Sequence, residues 1–337
     1  MKAMRLIRTG PMSRDSDPLE PVELPRPAPG PCEIRIRLRA CGVCHTELDE
    51  IEGRMVPANL PVVPGHEVVG VVDASGADSG LHQIGDRVGV GWIHSSSGDS
   101  RENLSAAFRA TGRDANGGYA EYMTVSERYA YPIPDTLSDV EAAPLLCAGA
   151  VGYRALSLCG LEDGKALGLT GFGGSAHIVI QVAKHLYPNS PVAVFARDSA
   201  QRDQAQALGA DWVGNTNERA PMELDAIIDT TPAWLPVVEA LANLGPGGRL
   251  VINAIRKEDA DKDALLRICY ETHLWQEKRI QSVANVTAND IRDFLPLAAS
   301  IPIRPEVETY AFDQANGALR DLRFGRIRGV KVLVFDK

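Results

Sequence analysis

The sequence predicts an α/β protein in two parts, a β-rich part that opens and closes the chain and a doubly wound parallel sheet inserted between. Three observations carry this. Up to about residue 150 the text is short apolar runs broken by Gly and Pro (CEIRIRLRA, HEVVGVVD, DRVGVGW), the punctuation of strands and turns. Beyond it, strand-like runs (KALGLTGFGG, PVAVFARD, LDAIIDTTP, GGRLVINAI) alternate with helix-like segments, the pattern of a parallel sheet. Past about residue 284, a helical stretch (ANDIRDFLPLAAS) and a Val-rich strand (RGVKVLVFDK) read as a return to the first part.

The expected domains are therefore residues 1–150, 151–284 and 285–337, with the crevice between the two parts as the natural ligand site. A chain of 337 residues with 45% apolar content has material for two cores.

Each element has its own signal. EIRIRLRA alternates with period two, so Ile34, Ile36 and Leu38 should face a core while Glu33, Arg35, Arg37 and Arg39 face water. SAHIVIQVAKHLY opens on Ser175 and sets Ile178, Val182 and Leu186 on one helical stripe. SAQRDQAQALGAD reads as the next helix, stopped at Gly209, and the late helix should be capped at or near Asn289.

The net charge of −9 comes without a block of like charges, which argues against a nucleic-acid surface and for simple colloidal solubility, so no nucleic-acid partner is expected. The N-terminus lacks the apolar run of a signal peptide, and nowhere do about 18 apolar residues run uncharged, so a cytoplasmic protein with no membrane partner is expected. Six cysteines in such a chain read as thiols or metal ligands rather than a disulfide framework.

LGLTGFGGSAH runs a buried strand into Gly171, Gly173 and Gly174, with Ala176 in the third glycine position and a helix directly after. The first glycine allows a tight turn, the second lets backbone approach a pyrophosphate, and the small third residue lets helix and strand pack. Free amides at the helix start favour the diphosphate. The next strand ends in Ala196, Arg197 and Asp198. With Ala196 where NAD would want an acid, and Arg197 beside it to pair with a 2′-phosphate, NADP(H) is favoured. Asp198 keeps NAD(H) open, and Arg197 also reads as a solvated loop charge.

Three fragments, CGVCHTE, VPGHEVVG and APLLCAGAVGYRAL, each offer a thiolate or imidazole in an apolar, glycine-bearing setting. Catalytic zinc takes three protein ligands and leaves a fourth position open, and Cys/His/Cys is a known set. CxxC in the first fragment also fits a redox pair or plain buried thiols.

With GVCHTE, PGHEVVG, GGYAEY and LLCAGAVGYRAL together, the chain resembles the zinc-dependent alcohol dehydrogenases of the medium-chain dehydrogenase/reductase superfamily over nearly its whole length. The resemblance implies a GroES-like β-rich catalytic domain with an inserted Rossmann-type domain. It implies Cys44, His66 and Cys147 as zinc ligands, with Glu67 a carboxylate at the metal and Cys41 a small buried neighbour. Thr46 would take the alcohol proton, and Glu47 would orient His66, although it also reads as a solvated acid. His45, Val151 and Ser175 would meet the nicotinamide cofactor, Ser175 reading equally as a helix cap.

The family commonly forms dimers or tetramers, so a homodimer or homotetramer acting on a small alcohol or aldehyde is expected. Alternatives are a zinc-independent quinone or enoyl reductase of the same superfamily and a non-catalytic dinucleotide-binding protein with a structural zinc.

Two departures stand out. Many relatives end the proton relay at a histidine where this chain has Asp49, which reads either as a substitute acceptor or as a surface acid. The segment 88–122, where relatives usually carry four cysteines for a structural zinc, contains none, so one zinc per subunit is expected. Trp92 falls where relatives preferring small primary alcohols keep a bulky pocket residue, and reads otherwise as a core aromatic.

Overall fold

The computed structural model describes residues 1–301, 303, 305–325 and 329–335. They form two compact units, one of Met1–Cys147, Thr287–Ser300 and Arg304–Lys337, the other of Ala148–Val286 with Ile301–Ile303.

The spine of the first unit is the strand Glu33–Val43, which pairs antiparallel with Val68–Ser75, Tyr122–Ser126 and Val330–Val334 in a seven-stranded sheet. Its first half keeps the alternation read from sequence: Ile34, Ile36 and Leu38 are buried, Arg37 and Arg39 exposed. Arg35 departs from the water-facing expectation because Asp73 on the neighbouring strand takes its Nε at 2.7 Å and half-buries it. From Ala40 to Val43 every residue is buried, so the period-two signal vanishes where the strand approaches the functional cluster.

The late helix Ala288–Ser300 packs in this same unit, and its cap is Thr287 rather than Asn289: Thr287 Oγ1 accepts from the amide of Asp290, whose carboxylate accepts from the amide of Thr287.

The second unit holds a six-stranded parallel sheet in the spatial order Trp212–Gly214, Val192–Phe195, Leu167–Thr170, Leu224–Asp229, Leu244–Ile252, Arg279–Ser282. Numbered along the chain this is 3-2-1-4-5-6, the doubly wound dinucleotide-binding order. All residues of the neighbouring interior strands Leu167–Thr170 and Val192–Phe195 are buried, as a parallel sheet covered on both faces requires.

The helix Ala176–Leu186 buries Ile178 and Val182, but Leu186 is 36% exposed, because the stripe stops in the last turn before Pro188. The next helix, Ser199–Ala207, runs into Gly209 at φ +95°, the left-handed stop that glycine takes without strain. Among the described residues, no single helix is long and apolar enough to cross a membrane.

Candidate functional site

Three pieces of backbone deliver one cluster within the first unit. Cys44 follows the spine strand as the N-cap of the helix His45–Ile51. His66 and Glu67 lie just before the strand Val68–Ser75, and the pairing of Cys41 with Val68, extended by the 2.9 Å bond from the amide of Gly42 to the carbonyl of Glu67, brings them to the Cys44 end. Cys147 sits where the turn Ala143–Leu146 meets the helix Ala148–Cys159. One donor atom from each of Cys44, His66, Glu67 and Cys147 falls within 4.8 Å of every other, and His66 Nε2 lies 3.3 Å from Cys147 Sγ.

Glu47, fully buried, holds the cluster in register. One of its oxygens meets His66 Nδ1 at 2.5 Å, and the other accepts from the Cys44 amide at 2.8 Å. Nδ1–H donates to Glu47, which turns Nε2 to the sulfurs, where it would give its lone pair to a metal ion in place of a proton. The solvated-acid reading of Glu47 therefore fails, because the first turn of its helix points it inward.

Electrostatics follow from this packing. The hydrogen bond from Cys147 holds the Cys44 thiol well below its ordinary value, against the opposing pull of burial. Burial, reinforced by the Cys44 charge, pushes the Glu67 carboxyl well up. Burial opposes the charged form of His66, but Glu47 and Cys44 outweigh it, so its proton is held well above the ordinary range. A group of buried acids, thiols and imidazole arranged this way is short of positive charge.

The donors fit zinc. Two sulfurs and an imidazole nitrogen are the Cys₂His set known for the catalytic zinc of alcohol dehydrogenases, and the carboxylate of Glu67 adds a fourth oxygen. The backbone leaves room for them: a Cβ at Gly42 would run into the Glu67 carboxylate, and Gly65, at φ +99°, passes between the Tyr119 ring and Cys41. Cys41 itself is fully buried, lies outside the cluster and has its thiol pushed well up by burial, the reverse of what a redox pair needs.

The remaining sequence candidates are placed as follows. Thr46 is 4% exposed, 3.6 Å from Cys44 Sγ, and His45 is exposed at the start of the same helix. Asp49 is buried, not a surface acid: Arg54 grips its Oδ1 with Nε and Nη2, both at 2.6 Å. Trp92 lies with its ring 6.2 Å from that of His66, edge-on to Phe108 at 5.4 Å and under the Arg113 guanidinium at 5.3 Å.

In the second unit, Gly171 turns at φ +76° against Thr230 and Thr231 at the end of Leu167–Thr170, and Gly173, Gly174, Ser175 and Ala176 lead into the helix. Ser175 makes no side-chain cap bond, since its backbone is already helical, whereas a capping hydroxyl needs an extended residue. Val151, half-buried, lies in the helix Ala148–Cys159. Arg197 is exposed, and Asp198 caps the helix Ser199–Ala207 by accepting from the Ala200 amide at 2.8 Å.

Sequence reasoning missed several contributors. Arg202 clasps the carbonyls of Ala196 and Arg197 at 2.6 and 2.9 Å, and His177 Nδ1 reaches the carbonyl of Gly173 at 3.1 Å. Glu50 and Arg113 lie near the cluster with no pattern of their own, since only the fold brings them there, and Tyr119, inside the GGYAEY motif, was given no role of its own. For Glu50 the one signal was its place four residues after Thr46 on a short helix.

Comparison with known proteins agrees with the geometry. Residues 30–135 match the family model described as the alcohol dehydrogenase GroES-like domain. The chain is 41% identical to a probable alcohol dehydrogenase, AdhA, of Mycobacterium tuberculosis, over 99% of this chain and 97% of that one. It is 32% identical to an alcohol dehydrogenase of Geobacillus stearothermophilus over 95% of this chain and 97% of that one.

Among solved structures it superposes on a cinnamyl alcohol dehydrogenase of Sorghum bicolor with a TM-score of 0.82 at 28% identity, covering 99% and 97% of the two chains. An NAD-dependent alcohol dehydrogenase gives 0.86 at 25% identity, covering 99% of each.

Sheet order, donor cluster and relatives together define the class, an oxidoreductase built from a GroES-like unit and a dinucleotide-binding unit. The chain belongs to the zinc-dependent alcohol dehydrogenase family of the medium-chain dehydrogenase/reductase superfamily.

Proposed function

We propose that the protein is a zinc-dependent alcohol dehydrogenase, or aldehyde reductase in the reverse direction, moving hydride between a nicotinamide cofactor and a small alcohol or aldehyde. The observation that carries this is the convergence of half-buried Cys44 and Cys147 with buried His66 and Glu67 within 4.8 Å. Cys44, His66 and Cys147 would hold the zinc with Glu67 beside it. The chemistry zinc supplies there is Lewis acidity toward the substrate oxygen. Glu47 fixes the His66 tautomer, and Thr46 presents its hydroxyl to the alcohol proton. Trp92 narrows the alcohol site from the His66 side, which favours short primary alcohols. His45, Val151, the loop Gly171, Gly173, Gly174 with Ser175 and Ala176, and Arg197 would hold the cofactor.

NADP(H) is the favoured cofactor in this reading. Asp198 is spent on a helix cap, while Arg197 is exposed at the tip of the second strand with its charge unspent on any ion pair among the described residues. One zinc per subunit is proposed because the cysteine-free segment has another brace. Buried Glu102 accepts from the Tyr129 hydroxyl at 2.8 Å and the Ala288 amide at 2.6 Å, while its carbonyl takes the Ser96 hydroxyl at 2.7 Å.

A cytoplasmic location fits the resemblance. So does a homo-oligomer: Leu266, Tyr270, Leu274 and Trp275 are exposed in the segment that precedes the sheet-edge strand Arg279–Ser282, and Ile280 is exposed on that strand.

The test is reduction of an aldehyde panel with NADPH and with NADH by protein of measured zinc content. Turnover that follows zinc occupancy, near one zinc per chain and faster with NADPH, is expected. A zinc-free preparation of equal activity would move the protein to the zinc-independent reductases, and loaded protein without turnover would make the metal purely structural.

A further inference from the structure

Outside the metal cluster, one ion pair among the described residues is buried on both sides. Asp229, the last residue of the strand Leu224–Asp229, is 0% exposed, and the Lys257 side chain bound to it is 8% exposed. The ammonium donates to one Asp229 oxygen and to the carbonyls of Thr231 at 2.7 Å and Ala233 at 3.0 Å, so its three hydrogens are all committed. The other Asp229 oxygen accepts from the hydroxyls of Thr170 at 2.6 Å and Thr231 at 2.8 Å. A buried pair of this kind adds little stability over apolar residues of the same size, so its place in the fold calls for another reason.

That place is the point where the sheet changes its direction of winding. In the 3-2-1-4-5-6 order the change falls between the first strand, Leu167–Thr170, and the fourth, Leu224–Asp229, and a doubly wound sheet binds its ligand in the crevice beyond the carboxyl ends of such a pair. Thr170 and Asp229 are register partners, each the last residue of its strand.

The loops that leave these ends are knitted together. Gly171, which opens the glycine loop, lies so close to its neighbours that an added Cβ would stand 2.9 Å from Thr230 Oγ1 and 2.8 Å from Thr231 Cγ2. The Thr230 hydroxyl donates to the Thr170 carbonyl at 3.0 Å. Lys257 arrives from the loop after the fifth strand, Leu244–Ile252, where the Asn253 amide donates to the Asp229 carbonyl at 2.8 Å and the Glu258 amide to the Pro232 carbonyl at 2.7 Å. Loops from three carboxyl ends thus meet around one ammonium.

We propose that Lys257 is a positioning residue for the nicotinamide cofactor, fixing the loop Thr230–Ala233 against the glycine loop and so setting the floor of the crevice in which the dinucleotide lies. The inference rests on the dinucleotide-binding reading of this unit. With no hydrogen left over, Lys257 holds backbone rather than a phosphate. It therefore acts on what NADPH and NADH share, whereas Arg197 acts on the 2′-phosphate alone. Removing the ammonium takes a donor from two loop carbonyls and from a buried carboxylate, and the loosened loop must then be ordered each time a cofactor binds.

The test titrates zinc-loaded wild type, K257M, K257R and D229N with NADPH and with NADH, following reduced-nicotinamide fluorescence, and adds steady-state kinetics and urea midpoints. K257M should weaken both cofactors by the same factor, about tenfold, because residues freed in the loop lose conformational entropy on binding. The change should appear in KM, with kcat at saturating cofactor lowered by less than about twofold, the pattern of lost uniform binding. K257R, which keeps a cation and its donors, should bind both cofactors more tightly than K257M. D229N keeps the shape and an acceptor for both threonines but loosens the grip on Lys257; it should weaken both cofactors alike, and it carries the test if K257M does not fold. A K257M that binds both cofactors like wild type, whatever its urea midpoint, overturns the proposal and leaves the pair purely structural. Weakening of NADPH alone overturns it in favour of a phosphate contact. Wild type that binds neither nucleotide overturns the dinucleotide-binding reading itself.

Discussion

Glu47 concentrates more function than any other single side chain, because one carboxylate sets both the His66 tautomer and the entry of the Cys44 helix. Glu47→Gln keeps the shape and gives up the charge that holds the Nδ1 proton. Zinc affinity in a chelator competition should fall about 10–100-fold, the usual cost of losing such a supporting partner. Arg197 is the other residue on which a prediction turns: Arg197→Ala should raise KM for NADPH at least about tenfold while leaving KM for NADH within about twofold, since a solvated cation can discriminate only by the 2′-phosphate.

At this scale the sequence was legible wherever a residue type is demanded by its chemistry. Cys44, His66, Glu67 and Cys147 were all named, as were the loop glycines. Glu50 and Glu102 were not. A buried acid announces nothing in one dimension, because its burial is decided by segments far along the chain.

Elements explain why Asp49 was read two ways. Its helix is buried all round from Thr46 to Ile51, and Asp49 is buried there with its Oδ1 on Arg54 just past the helix end. The local text DEIEGR gave an acid and a base five apart but no sign that they would meet. Asp49→Ala should cost about 1.5–3 kcal/mol in urea unfolding, the range for hydrogen bonds to charged groups, through a side chain that is 3% exposed.

Glu52, beside it, has its carboxyl held below the ordinary range: burial pushes it up, but Arg54 and Arg323 more than offset that. The sign follows. Its stabilisation is complete above the unfolded carboxylate pKa of about 4.3 and is lost as pH falls through the lower folded value, so Glu52→Gln should flatten the acid limb of a stability profile. Strand patterning was the most legible feature at this scale; it slipped at Arg35, half-buried against Asp73, and ended from Ala40 onward, where both faces of the spine strand are covered and alternation carries no information.

Across the whole molecule, alternation of strands and helices announced the parallel sheet, and its 3-2-1-4-5-6 order follows from right-handed crossovers on both sides of the first strand. What pattern alone could not supply was the register of the last strand. Val330–Val334 lies directly against Ala40–Val43, with Leu333 opposite Cys41 and fully buried. Leu333→Ala should destabilise the first unit by about 2–5 kcal/mol, read as a lower urea midpoint in a variant with unchanged denaturant slope.

That pairing also dictates when the protein matures. A growing chain exposes Cys44, His66 and Cys147 long before the ribosome reaches residue 330, yet the strand leading to Cys44, paired with Val68–Ser75 on one side, gains its neighbour on the other side only when Val330–Val334 has been made. Metal uptake is thereby a late event: nascent chains halted short of that strand should hold zinc weakly and yield it to cellular scavengers, whereas released chains should keep it.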